Sequence, residues 1–194
     1  MRTCKHLARS TAPLLALSVT FAACASESTS DLADTAEDQH VVSYDSTVVR
    51  LVSLTDTVRV RALLAVTADQ KTMGLMERRH LPENTGMLFV YDSTQPPDAG
   101  FWMYRTRIPL DIAFLDAAGT VRAILAMTPC TTVLAQGCPT YSPNVSYRYV
   151  MEVNKGYFAR HRVGIGSRLV LADVAAIARG LRGATPRTAR PSGR

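Results

Sequence analysis

The run FWMYRTRIPLDIAFLD, residues 101–116, changes character at Pro109, and this change constrains the fold more than any other stretch. After Pro109, Leu110, Ile112 and Phe114 fall on one face and Asp111, Ala113 and Leu115 on the other, the period of a strand. Before it, Tyr104, Arg105, Thr106 and Arg107 stand where no apolar face can be drawn. Pro109 restricts Ile108 to extended backbone and withholds an N–H, which suits a strand start at a sheet margin. The stretch therefore predicts a core strand from Leu110 onward and a ligand-facing edge before it.

The rest of the body is also strand-rich. VVRLVSL (48–54) and VRVRALLAV (58–66) read as two strands joined by a short turn. Thr67-Ala68-Asp69-Gln70 is a capping-box pattern that opens a helix expected to run to about Arg79, with Gly74 inside it at a cost of about 1 kcal/mol relative to Ala. MLFVY (87–91) reads as a buried strand, and LDIAFL with TVRAILA as a strand–turn–strand unit. SYRYVMEVN (146–154), a short helix KGYFARH (155–161) and a last strand GIGSRLVLA (164–172) complete the domain. The fold class is α+β: one β-rich domain over residues 41–178, a largely antiparallel, barrel-like sheet with two short helices.

Both ends differ from this body. Residues 1–23 carry Arg2, Lys5 and Arg9, no acid, and then the apolar run APLLALSVTFAA, the layout of a secretory signal. That run is too short for a permanent membrane helix. The residues FAAC, ending at Cys24, resemble the lipobox of bacterial lipoproteins, in which the Cys is lipidated and becomes the new N-terminus. The alternative is cleavage at Ala23-Cys24-Ala25, which releases a soluble protein. Residues 25–40 hold five acids and no Lys or Arg, and read as a disordered tether. With no Asp after Cys24, resemblance to lipoprotein sorting favours the outer membrane. Residues 179–194 contain five Arg with Gly and Pro throughout and read as a disordered tail.

Setting aside three cations in 1–23, five in 179–194 and five acids in 25–40 reduces 22 Lys plus Arg and 16 Asp plus Glu to 14 against 11. Residues 41–178 are thus nearly balanced, and no nucleic-acid partner is expected. Cys130 and Cys138 are the only cysteines of the domain, in PCTTVLAQGCP. In an oxidising compartment they are expected to form a disulfide that stabilises the fold by about 2–3 kcal/mol. A redox-active pair and a zinc site are the alternatives, but for zinc the spacing is not C-x-x-C and His80 and His161 lie far away. Neither a metal nor a cofactor is expected.

The order GLMERRHLPENTGMLFVY, FWMYRTRIPLDIAFLDAAGTV, PCTTVLAQGCPTY, YVMEVNKGYFARHRVGIGSRL resembles the bacterial and archaeal family called domain of unknown function 192, over roughly residues 58–172. The resemblance implies a compact β-rich fold and frequent export, and no established activity. The family's central motif usually runs Phe-Trp-Met-Lys-Asn-Thr, then Pro-Leu-Asp-Ile after two residues. Phe101, Trp102, Met103, Thr106, Pro109, Leu110, Asp111 and Ile112 match it, whereas Tyr104 and Arg105 replace the usual Lys and Asn. If that Asn contacts a ligand, Arg105 alters the preference.

The candidate ligand-binding residues are Trp102, Arg105, Thr106, Asp111 and Glu152. Trp102 offers a flat platform. Asp111, a carboxylate in an apolar strand, needs a partner: backbone N–H groups of 103–108 or an Arg on the bland reading, a ligand on the other. Glu152 and Asn154 are expected at a strand end in solvent. There is no G-x-S-x-G, H-E-x-x-H or Gly-rich phosphate loop. The expectation is an exported, lipid-anchored domain that binds a small polar ligand or an envelope polymer near 101–111. The alternatives are a hydrolase-like enzyme using Asp111 with Glu152, and a structural accessory protein of an envelope complex.

Overall fold

A computed structural model of the protein describes residues 42–174. The expected signal segment, Cys24, the acidic stretch 25–40 and the Arg-rich stretch 179–194 lie outside the described residues.

Among the described residues nine strands form: β1 (Ser46–Val52), β2 (Thr57–Ala65), β3 (Thr85–Gln95), β4 (Phe101–Trp102), β5 (Leu110–Leu115), β6 (Val121–Met127), β7 (Thr140–Tyr141), β8 (Tyr147–Asn154) and β9 (Arg168–Leu169). Three short helices accompany them, besides the helical residues 171–174: α1 (Ala68–Met73), a 3-10 turn (Ala135–Gly137) and α2 (Tyr157–Arg160). Seven strands make one sheet in the order β6-β5-β8-β3-β2-β1-β9, and β4 pairs with β7 beside it. All pairings are antiparallel except β2 with β3. A parallel pair needs a crossover. Residues 66–84 supply it, and so lay α1 and its following turns over one face of the sheet.

The capping box forms as the sequence predicts: Gln70 N–H donates to Thr67 Oγ1 at 3.2 Å, and Gln70 Oε1 accepts from Thr67 N at 3.0 Å. The expected extent of the helix needs correction. It ends at Met73, because Gly74 takes φ +51° and donates its N–H to Gln70 O at 2.9 Å. Gly74 is the stop signal: at φ +51° and ψ −132° it takes a backbone conformation that glycine adopts without a Cβ clash.

β5 lies between β6 and β8, and all six of its residues are buried, as the pattern after Pro109 predicts. Asp116 ties the β5–β6 turn by accepting from Ala118 N and Thr120 N, each at 2.9 Å. The last strand is shorter than 164–172 suggests, since only Arg168 and Leu169 pair and residues 171–174 are helical. Those two residues still curl the sheet. Val121 N–H donates to Ser167 O and Leu169 N–H to Gly119 O, each at 2.8 Å, drawing one sheet edge towards the other into a half-barrel.

Alternation sorts the core into two clusters. Val49, Leu51, Val60, Leu64, Leu115, Met151 and Val153 fill the inside of the curl with Tyr157 and Phe158 of α2. The other face carries Met87, Phe89, Ile112, Phe114 and Val150, roofed by Leu75, Leu81, Met103 and Cys130 from the connecting segments. Gly86 allows β3 and β8 to meet closely, since a Cβ there would lie 2.5 Å from Glu152 O.

A buried carboxyl under an aromatic roof

Glu152 sits in mid-sheet, opposite Met87 of β3 and Ile112 of β5. Its side chain shares the roofed face with those residues and is 5% exposed. The strand-end position in solvent expected for Glu152 is therefore overturned: β8 is central and both its faces are covered. Asn154 does end the strand, and its Nδ2 donates to Leu81 O at 2.8 Å to hold the crossover in place.

Above Glu152 the roof leaves a cavity of about 120 Å³. Thr106 and Trp102 line it from the segment before β5, Phe89 and Tyr91 from β3, and Lys71 and Met73 from α1. Trp102 stands at the mouth, 46% exposed, with its ring 6.0 Å from that of Tyr104. Phe101 turns inward and packs edge-on against Phe89 at 5.0 Å and Phe114 at 5.7 Å. Thr106 is fixed by a tight turn in which its N–H donates to Met103 O at 2.9 Å and its carbonyl accepts from Cys130 N at 3.3 Å. Cys130 in turn is bonded to Cys138, with Cα atoms 5.8 Å apart, so the disulfide loop braces one side of the roof.

Burial alone pushes the Glu152 carboxyl up to about 8 from its ordinary 4.5, because no cation stands near enough to oppose it. Among the described residues none of the hydrogen bonds or ion pairs reaches its carboxyl and burial is the sole cause of its shift; since no fully enclosed side-chain oxygen lacks a partner, its oxygens open on the cavity. Burial also raises Tyr91, and the Tyr147 and Glu152 charges add to that shift. Lys71 is lowered by burial; its Nζ donates to Val66 O at 2.7 Å and lies 4.8 Å from the Tyr91 ring centroid.

Of the five residues picked from sequence, Trp102, Thr106 and Glu152 share this cavity and two do not. Arg105 points outward, where its Nε donates to Glu77 Oε1 at 2.6 Å beside a second Glu77 pair with Arg107. These hydrogen bonds, that of Arg105 first, hold the Glu77 carboxyl below its ordinary value. Arg105 has φ +55°, a left-handed conformation in which Asn is the best non-glycine residue. The Asn usual at this position thus has a backbone explanation that needs no ligand.

Asp111 lies on the opposite face of the sheet, opposite Val153. Its Oδ2 accepts Gly156 N–H at 2.8 Å, immediately before α2. Burial raises its carboxyl, while the Gly156 N–H and nearby Lys155 and Arg160 oppose the rise. It has backbone partners, as the bland reading holds, but they are Gly156 and Phe158 at the start of α2 and not residues 103–108. Lys71 and Tyr91 escaped the sequence reading, although a phenol closing the apolar run MLFVY was a usable signal.

Comparison with known proteins gives the same outline. The family model of domain of unknown function 192 (DUF192), described as "Uncharacterized ACR", matches residues 51–171. A crystal structure of a Sinorhizobium meliloti protein, described as a candidate transcription regulator, is 34% identical with a TM-score of 0.60, covering 66% of this chain and 95% of that one. A Novosphingobium aromaticivorans protein of unknown function is 25% identical with a TM-score of 0.54, covering 66% and 93%. No curated protein gives a significant match.

Proposed function

The chain belongs to the DUF192 family, and from that premise we propose that it is an exported, lipid-anchored envelope protein that binds a small polar ligand in the cavity over Glu152. The observation that carries the binding reading is Glu152, a residue 5% exposed whose carboxyl has no partner among the described residues and opens on a cavity walled by Trp102, Tyr91 and Phe101. Folding around such a group costs free energy, and sites of this kind concentrate where a ligand supplies what the protein withholds. The cavity lies behind residues 101–106 and does not extend along 101–111. Export and anchoring rest on the residue pattern of 1–24, and the Cys130–Cys138 disulfide suits an oxidising compartment.

A hydrolase that pairs Asp111 with Glu152 finds no support, since the two carboxyls face opposite sides of the sheet. The transcription-regulator description of the Sinorhizobium protein gains no support from a recognition helix, since the longest helix among the described residues has six residues.

Binding is tested by a ligand-observed NMR screen of small polar compounds against the mature chain. Hits should weaken by about tenfold, or 1.4 kcal/mol, in Trp102→Ala, respond to Glu152→Gln and ignore Arg105→Ala. Hits indifferent to both Trp102 and Glu152 would overturn the reading. Anchoring is tested by mass spectrometry of the membrane fraction, where the mature protein should begin with a diacylated Cys24. A mature N-terminus at Ser26 would contradict it.

A further inference from the structure

We propose that the ligand of this cavity is a small organic ammonium ion, seated with its charge on the Glu152 carboxylate and its carbon substituents against Trp102, Phe101 and Tyr91. The inference rests on the binding reading above and names the chemistry of the occupant.

Four observations lead to it. The first is the absent partner. A carboxylate withdrawn from water is ordinarily held by Arg, Lys or His, and none reaches Glu152 among the described residues. The one cation in the lining, Lys71, is engaged with Val66 O and the Tyr91 ring. An ammonium ligand supplies the missing charge. An anionic ligand would add a second negative charge to a site that cannot hold one.

The second is the wall. Phe89, Tyr91, Phe101 and Trp102 all line the cavity, and aromatic faces attract cations, more strongly where water is excluded. The lining also carries neutral hydrogen-bonding side chains, Thr72, Tyr91, Trp102 and Thr106, but Lys71 is already engaged and Glu152 is the one lining group that can offer a free charge, which a polyol would leave unmatched. The third is ligand count. No group of three or more His, Cys, Asp or Glu gathers anywhere among the described residues. A single carboxylate does not make a divalent-metal site, where several oxygen, nitrogen or sulfur donors are needed. The fourth is size. A cavity of about 120 Å³ is somewhat smaller than the engineered cavity of about 150 Å³ that admits benzene. The occupant is therefore a cation of a few carbon atoms.

Proton bookkeeping makes the inference testable without knowing the natural ligand. The titratable groups that face Glu152 are Tyr44 from the segment before β1, Lys71 from α1 and Tyr91 from β3. Both tyrosines are raised and stay neutral near pH 7, and neighbouring Ile112 and Thr106 carry no titrating group. Among the carboxyl and phenol groups there, Glu152 is then the one that changes charge in the neutral range. An ammonium ion that binds there displaces the carboxyl proton to solvent, so each bound cation releases up to one proton.

The probes are n-butylammonium, 1-butanol and butyrate, which match in size and differ in charge, titrated calorimetrically into the mature chain between about pH 6 and pH 9. The expected result is that butylammonium binds at least about tenfold tighter than either analogue at pH 8, with affinity rising up to tenfold per pH unit below it and levelling above. Repeating the titration in buffers of different ionisation enthalpy should show proton release. Glu152→Gln should remove the charge preference and the pH dependence. Trp102→Ala, at an exposed position that folding tolerates, should weaken butylammonium while keeping its pH dependence.

If 1-butanol or butyrate binds as tightly as butylammonium at pH 8, the ammonium assignment is wrong while the cavity remains a binding site. If none of the three binds at millimolar concentration but other compounds from the screen do so through Trp102 and Glu152, the assignment again falls alone. If no compound of any charge responds to either residue, the binding reading falls with it.

Discussion

Glu152→Gln should make the protein more stable at neutral pH, because the native carboxyl is held in a protonation state that the unfolded chain does not share. In the folded protein burial lifts it to about 8, whereas in the unfolded chain it titrates near 4.5. Between these values the native state binds a proton that the unfolded state has released. A raised folded value means that stability is fully present below about pH 4.5 and declines as pH rises towards 8. The decline approaches 1.4 kcal/mol per pH unit, so the accumulated penalty is about 3 kcal/mol at pH 7. Gln keeps the shape and cannot ionise. Other titrating groups cancel in the difference between the two proteins. Urea titrations of the mature chain from about pH 4 to pH 9 should find variant and wild type alike at the acid end and separated by about 3 kcal/mol at pH 7, with the m value unchanged. Parallel stability curves, or a variant less stable at pH 7, would refute the argument that Glu152 lies buried and unpaired.

Phe114→Ala, which removes a fully buried ring packed 5.0 Å from Tyr147, should cost about 3–5 kcal/mol in the same urea assay. Asp111→Ala strands the Gly156 N–H and should cost about 1–3 kcal/mol, while calorimetry finds ammonium affinity unchanged because the residue faces the other side of the sheet. Arg105→Asn should alter stability by no more than about 0.5 kcal/mol, since an exposed ion pair is exchanged for a residue suited to φ +55°. Arg105→Val, β-branched in that conformation, should cost about 1–2 kcal/mol by thermal melting. Replacing Cys130 and Cys138 together by Ala should cost about 2–3 kcal/mol, and thiol labelling of unreduced, unfolded wild type should fail at both positions.

Local chemistry was readable where it is decided locally. Thr67 and Gln70 announce the helix start because a capping box is made within four residues. Leu110 to Leu115 announce a core strand because its period is intrinsic. Gly74 misled in one respect: glycine is compatible both with a helix interior and with its end, and only the left-handed φ decides between them. The alternation of SYRYVMEVN said that Glu152 shares a face with Val150. It could not say whether that face is roofed. That depends on β8 being inserted between β5 and β3, which are distant in the chain, and on the crossover 66–84 and the turn 103–106 covering the same patch. The site is therefore assembled from non-local contacts, and a Glu that reads as solvated becomes its floor. Arg105 failed for the opposite reason, since the constraint at that position is a backbone angle that residue identity discloses only through the unusual preference for Asn.

The most direct measurement is the titration of the Glu152 side-chain carboxyl carbon by 13C NMR, assigned with Glu152→Gln and repeated with n-butylammonium present. The expected midpoint is near 8 for the free protein, moving downward when the cation is added, because the bound charge favours the carboxylate. A midpoint near the ordinary 4.5, or one that the ammonium ion leaves in place, would contradict this expectation.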